Sequence, residues 1–517
     1  MLRSLPWVTL MIPFALGAVG PGAPAAPPAG RSLLLAAALE QRPGEAQKVW
    51  VFFRDKGTDT AAGVAAAGVA AAAVAAAEAA LTPRARARRA LRGDTRGVAF
   101  EDVPLVRAYA DAVAARVTRV RHEVPWVNAM SVEATADQVA ALEALPFVAR
   151  VDLVRGYRAR REEDLFGRAE GRSDAPAEAP GDHCKRTCAV SPGTPSPPTT
   201  APTLDYGPAA GQLNQIDVPA VHQMGLHGEG VIVAVFDAGF DTLSHEAFAS
   251  MSIADRHDFV NGDDDVGNGS DKGEGSHGTE TLSTLGGFSP GHLIGPAFNA
   301  TFLLAKTEDT TSETPVEEDN WAAAAEWAEA RGADVISSSL GYLTFDPGFK
   351  SYTFADMDGR TAISTRAADL AAARGVVVVN SAGNEGPNAQ HNTLGAPADG
   401  RLVLAIGAVN AAGQRASFSS VGPTADGRTK PDVAAQGVSV VVAAPGSPRS
   451  YTTSSGTSFS CPLTAGVVAL VLQARPSATV TQVEDAVRST ASQAARPDNL
   501  LGWGIVDAAR AVQAIAR

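Results

Sequence analysis

Residues 228–241 read GEGVIVAVFDAGFD, an unbroken apolar run from Val231 to Phe236 that stops at Asp237 and a following Gly239. The run is continuous where a half-exposed strand would alternate, so both faces of its sheet must be covered, as in a parallel sheet with helices on either side. Runs of the same kind recur at Thr301–Ala305, Val335–Ser338, Val376–Val379, Val403–Val409 and Val438–Val442. Between and after them lie helical patterns at His277–Leu285, Asn320–Arg331, Thr361–Arg374, Ser458–Ala474, Val480–Thr490 and Val506–Ala516. Strands alternating with helices predict an α/β fold for residues 206–517: a doubly wound, mostly parallel sheet with helices on both faces.

Upstream the character changes. KVWVFF at 48–53 reads as a strand, 124–132 and 148–154 as two more, and 136–145 as an amphipathic helix, which together predict a small α+β domain over residues 31–158. Within it, Thr60–Ala80 is Ala-rich and Pro83–Arg92 carries Arg84, Arg86, Arg88, Arg89 and Arg92. Both read as helical. With no interleaved aromatics, the arginine run is expected to be a solvated helix face. Residues 159–205 include SPGTPSPPTTAPT, which cannot bury enough apolar surface to order itself, and read as a linker. Cys184 and Cys188 stand in it at a spacing that could close a small disulfide loop in an exported protein. Arg3, the apolar run Leu5–Ala18 and the small residues to Ala25 have the form of a secretory signal peptide over residues 1–25, predicting an extracellular or periplasmic protein. That run is short and interrupted by Pro6 and Pro13, and no later segment reads as a membrane span, so none is expected once the signal is removed.

The 517 residues carry 43 Lys and Arg against 56 Asp and Glu, a net charge of -13 that would repel a polyanion, so nucleic acid is excluded as a partner. Three cysteines cannot build a disulfide framework, and stability must come from apolar burial.

In a doubly wound sheet, sites form beyond the carboxyl ends of strands. Asp237 follows the first strand, His277 opens a helix in GSHGTETLSTLGG, and Ser458 opens another in SSGTSFSCP. A serine hydroxyl is a poor nucleophile at neutral pH. It needs a base in hydrogen-bond reach, and the base needs an acceptor that fixes its tautomer. Asp, His and Ser at element boundaries of one sheet supply those roles, although each alone is the usual residue of a cap or turn. Asn384 in VVVVNSAGNEGP could offer its amide to a developing oxyanion, with the Ser458 backbone N–H as the second donor.

Taken in order, DAGFD, SHGTETLS, SSSLG, SAGNEG and GTSFSCP resemble the subtilisin-like serine peptidases, and the likeness extends from about Tyr206 through ASFSSVGP to LGWGIVDAARAV. The resemblance implies a triad of Asp237, His277 and Ser458 with Asn384 as the oxyanion side chain. It implies that Ser339, Leu340 and Gly341 pair with the substrate backbone, and that Gly395 and Ala396 line a specificity pocket with room for a large apolar side chain. It further implies that the N-terminal unit, through VNAMSVEATADQVAALEALPFVARV, is a propeptide that inhibits its own enzyme, released near Tyr157 to Arg161. The expected function is therefore a secreted serine endopeptidase made as a zymogen. It would act on polypeptide substrates through an acyl-enzyme, with broad specificity, an apolar preference and no required cofactor.

Phe459, where the family often has Met, is expected on the pocket side, and Cys461 as a small buried hydrophobe. The acidic loop NGDDDVGNGSDKGE at 261–274 is a candidate structural Ca²⁺ site, although its spacing departs from the EF-hand and its ligands are unknown. Two rivals are a catalytically silent domain that presents the same groove to peptides, and a nucleotide-binding module, which DAGFD disfavours because it lacks the G-x-G-x-x-G fingerprint.

Overall fold

The fold is that of a computed structural model, which describes residues 33–42, 44–57, 68–94, 97–154, 204–267, 276–309, 317–343 and 351–516. The signal-like segment, Cys184 and Cys188, the linker to residue 203 and the expected release site lie outside the described residues.

The N-terminal unit is built on β1 (Gln47–Phe53), β2 (Arg119–Val124), β3 (Ala129–Ala134) and β4 (Val148–Leu153), an antiparallel sheet in the order β2-β3-β1-β4. The single strand expected over 124–132 is two strands, broken where Asn128 takes a left-handed φ of 52°, a conformation Asn tolerates. Helices α1 (Leu33–Gln41), α2 (Gly68–Ala80), α3 (Pro83–Leu91), α4 (Arg107–Ala114) and α5 (Ala136–Glu143) complete the unit. Thr135 caps α5 through a reciprocal pair with Gln138.

The larger unit carries seven parallel strands in the order β13-β12-β11-β10-β5-β9-β6. They are β5 (Ile232–Asp237), β6 (Ser252–Asp258), β9 (Thr301–Lys306), β10 (Val335–Ser338), β11 (Val377–Ser381), β12 (Val403–Val409) and β13 (Val433–Gln436). Between them in the chain, β7 (Phe288–Ser289) and β8 (Leu293–Ile294) form a small hairpin. The chain first winds from β5 toward β9 and β6, then returns to lay β10 on the other side of β5. That reversal is the doubly wound topology expected, and it opens a crevice at the carboxyl ends of β5 and β10. Successive residues on the strands enter two different cores. Val233, Val235, Leu304, Val335 and Val377 pack with the helix Thr457–Ala474, while Ala234, Phe236, Leu303, Ile336 and Val378 pack with Trp321 and the helices Glu317–Arg331 and Ile363–Ala373. The run expected at Val438–Val442 is not in this sheet: β14 (Val440–Ala443) pairs with β15 (Tyr451–Ser454) in a separate antiparallel hairpin, and β13 takes the edge.

The helix Thr457–Ala474 is buried at every residue from Thr457 to Leu472. By length and composition it could cross a bilayer, contrary to the reading that no later segment could, but it is the central core helix, packed beneath β10 to β13. The N-terminal unit shares the second core: Trp50, Phe52, Trp126 and Val127 sit in the same apolar cluster as Ala325, Ala328, Ala368 and Ala371. Polar contacts flank that seam. Arg121 pairs with Asp319 at 3.2 Å, the Ser131 hydroxyl donates to Asp319, and His122 Nε2 lies 2.7 Å from Asn320 Oδ1.

Candidate active site

Asp237 is the last residue of β5 and is fully buried. Three donors hold its carboxylate: the Ala238 N–H at 2.8 Å and His277 Nδ1 at 2.7 Å on Oδ1, and the Thr281 hydroxyl at 2.8 Å on Oδ2. Thr281 lies one turn beyond His277 on the helix Ser276–Gly286, so one helix supplies both the imidazole and a second brace. Gly278 makes the approach possible. A Cβ there would fall 2.2 Å from the Gly239 carbonyl oxygen and 3.1 Å from the Asp237 Cβ, so any side chain would push His277 off the strand tip.

Ser458 stands in the first turn of the core helix and is 6% exposed. Its hydroxyl donates to the Ser339 carbonyl at 3.4 Å, a long contact, and among the described residues it makes no hydrogen bond to His277. The two are neighbours nonetheless, since the His277 ring centroid lies 5.8 Å from that of Phe459. Pro462 has no N–H, so the Ser458 carbonyl four residues earlier loses its helical donor. The Ser339 hydroxyl replaces it at 2.8 Å. Phe459 is not on an open pocket wall: it is fully buried against Val440 and Val442, where the β14–β15 hairpin gives it a cage.

Asn384 lies in the loop after β11. Its Oδ1 accepts from both the N–H and the hydroxyl of Thr457 at 2.9 Å each, which fixes the amide plane. Nδ2 and the Ser458 N–H donate to no acceptor among the described residues. Thr457 also accepts from the Gly383 N–H at 3.3 Å, tying the loop to the start of the serine helix.

Beyond β10 the chain runs through Ser339, Leu340 and Gly341, and Tyr342 then pairs with Ala396 by two backbone hydrogen bonds of 2.8 and 3.0 Å. The Leu340 carbonyl is taken by Asn380 at 2.8 Å, while both main-chain groups of Gly341 remain without a partner among the described residues. A Cβ at Gly395 would lie 3.2 Å from the Gly341 Cα, so the small residue there first of all lets two backbones meet. Ala396 is fully buried beside them. Cys461 behaves as expected. It is fully buried, and desolvation pushes its thiol up to about 12, which leaves no thiolate to react.

No group of three or more His, Cys, Asp or Glu among the described residues is arranged to hold a metal ion. In the acidic loop, residues 268–275 lie outside the description. Asp258 is committed to a buried pair with Lys306 at 3.0 Å, and Asp263 and Asp265 accept from the loop's own amides. The described part therefore does not fit a calcium site.

Residues 228–504 match the subtilase family of peptidase S8, and residues 48–165 match the peptidase S8 propeptide domain of the Bacteroidota. The chain belongs to the subtilase family. Subtilisin E of Bacillus subtilis (strain 168) is 34% identical over 298 residues, 56% of this chain and 67% of that protein. Subtilisin of Bacillus pumilus is likewise 34% identical over 298 residues, covering 93% of its length, and the alkaline protease of Alkalihalobacillus alcalophilus is 31% identical over 321 residues, or 71% of its length. As a subtilase, this chain is a serine endopeptidase that carries a propeptide domain. Thr281 and Thr457, which brace Asp237 and Asn384, were not singled out in the sequence of this subtilase. The available signal was position: each stands four residues after, or one before, a residue already chosen.

Proposed function

We propose that this subtilase is a secreted endopeptidase, made as a zymogen, that cleaves polypeptides through Ser458, His277 and Asp237. Ser458 attacks the peptide carbonyl and His277 takes its proton. Asp237 holds the imidazole by Nδ1 and stabilises the imidazolium, and the same proton then passes to the leaving amine. Water hydrolyses the acyl-enzyme by the reverse steps. Asn384 Nδ2 and the Ser458 N–H receive the oxyanion. The observation that carries this reading is the 2.7 Å contact from His277 Nδ1 to a buried Asp237 that two further donors orient. Rotation of the serine hydroxyl away from the Ser339 carbonyl then completes the array, since catalytic hydrogen bonds often tighten only with substrate bound.

The unpaired main chain of Gly341 supports pairing with an extended substrate through Ser339, Leu340 and Gly341. The lack of side-chain bulk at Gly395 and Ala396, behind the Gly341 backbone, supports a pocket for an apolar side chain. The shared core around Trp126 supports the N-terminal unit, residues 31–158, as an intramolecular inhibitor joined through a 159–205 linker to a 206–517 peptidase domain. Export follows from the signal-like residues 1–25. The reaction needs no organic cofactor.

Fluorophosphonate labelling of the mature enzyme tests the assignment. One adduct on Ser458, absent in Ser458→Ala, is expected. An unlabelled but folded protein would favour the silent peptide-binding domain.

A further inference from the structure

The arginine run expected to be solvated is instead mostly buried against the peptidase domain. Arg88, Arg89 and Arg92 are 4%, 4% and 7% exposed. Arg88 donates to the Glu329 carboxylate and to the Ala333 carbonyl. Arg89 bridges Glu329 at 2.7 Å and Asp102 at 3.1 Å. Arg84 and Arg92 divide the two oxygens of Asp334, at 2.5 and 2.8 Å, and Arg92 also reaches the Gly375 carbonyl at 2.6 Å. The Thr82 N–H donates to the Ala330 carbonyl at 2.9 Å. Thus α3 covers the carboxyl end of the helix Glu317–Arg331, where unpaired carbonyls and the helix dipole favour cations. Glycines admit it: a Cβ on Gly332 would meet the Arg84 side chain at 2.8 Å, and Gly332 already has a φ of +92°.

This contact is remote from the chemistry. Asp334 accepts from the N–H of Ile232, the first residue of β5, whereas Asp237 is the last. Five residue steps separate them, roughly 17 Å at the rise of a parallel strand. The strands of the N-terminal unit reach Asp319 and Asn320 at the amino end of the helix Glu317–Arg331 through Arg121, Ser131 and His122, whereas α3 holds Glu329 at its carboxyl end, ten residues on and roughly 15 Å away along the helix.

We infer that α3 is a second anchor, which keeps the N-terminal unit on the peptidase domain after the connection between them is cut and must itself be lost before the cleft is freed. The inference rests on that unit being the inhibitor. A folded unit attached at two places rebinds at one while the other holds, so a transient opening where Arg121 meets Asp319 does not become release. The surface made by Glu329 and Asp334 fits one occupant by charge and spacing: residues 83–92 of this chain.

The test uses the full chain with Ser458→Ala and a recognition sequence for an unrelated site-specific protease inserted between residues 159 and 205. After cutting and dilution, the two fragments are expected to co-elute on gel filtration. Glu329→Gln on one side and Arg88→Gln with Arg89→Gln on the other should each speed dissociation by roughly 10²-fold, since breaking one side of a buried pair strands the other charge. All three changes together should add less than the sum of the two, because they remove the same contact. Release at the parent rate from the Glu329→Gln chain, which alters no residue of the N-terminal unit's own fold, would overturn the inference. The same substitution with Ser458 intact should shorten the lag before peptide hydrolysis, and an unchanged lag would also overturn it. Because the dissociation arm uses an inert chain, it is independent of fluorophosphonate labelling, whose failure would count against the catalytic reading alone.

Discussion

Replacing Asn384 by alanine is expected to slow the chemical step and leave substrate binding nearly untouched. In the resting site Asn384 Oδ1 is already held by two donors from Thr457, so the side chain is pinned at one end and Nδ2 is the end left to meet new charge. A preorganised donor of this kind contributes about 2.7–4 kcal/mol to the transition state, a range established on subtilisin itself, which corresponds to roughly 10²–10³ in kcat. Thr457→Val gives an internal scale. It deletes one of the two anchors and the acceptor of the Gly383 N–H, but the Thr457 N–H remains. A neutral hydrogen bond nets about 0.5–1.5 kcal/mol, so kcat should fall roughly two- to twelvefold. The assay is kcat and KM on a chromogenic peptide with active-site-titrated mature enzyme, and thermal melts show that both variants fold. If Asn384→Ala raised KM while kcat stayed within threefold, the donor would be serving the ground state and the oxyanion assignment would fail.

Three further outcomes follow from buried ionisable groups. Burial pushes Glu484 up to about 7 against the nearby Arg488 guanidinium, so the neutral form favours the fold. That stabilisation is full below the ordinary carboxylate value and is lost as pH rises through about 7. The Tm difference between Glu484→Gln and the parent should therefore grow in favour of the variant from pH 5 to pH 8, and a pH-independent difference would refute it. Glu326, which accepts from the Trp126 N–H across the seam, is pushed up to about 8 by desolvation there. Its proton is held while the N-terminal unit is docked, so affinity for that unit should weaken as pH rises from about 5 to 8 and flatten in Glu326→Gln. Titration calorimetry at several pH values would reveal an unchanged slope if the reading is wrong. Cys461 should resist iodoacetamide in the native enzyme, and Cys461→Ala should keep its activity while losing about 1 kcal/mol of stability. Alkylation of Cys461 in folded enzyme, with loss of activity, would show that the thiol is not sealed.

The strands at Val335–Ser338 and Val403–Val409 were legible to the residue because burial on both faces leaves only apolar and small side chains, with Ser337 and Ser338 the sole polar ones and no charge. For the opposite reason β2 and β6 were not: RVRHEV and SIADRHD are edge strands, and charge on an edge is compatible with pairing on one side only. Periodicity could not show that Arg88 and Arg89 are buried, since their shared partner Glu329 is brought to them by docking between units. At the site, Asp237 and His277 declared themselves by standing at element ends. Gly278, whose missing Cβ lets them meet, is silent without coordinates.

Pro462 has one more consequence. By denying the Ser458 carbonyl its helical donor, it hands that carbonyl to the hydroxyl of Ser339, in the stretch proposed to lie against the substrate. Nucleophile and docking rail are thereby latched together, and a peptide that tugs the rail by a few tenths of an ångström tugs the attacking residue along with it. Shortening a substrate at a distance from its scissile bond should thus blunt turnover along with grip, because the aim of the attack is set partly by how firmly the rail is occupied.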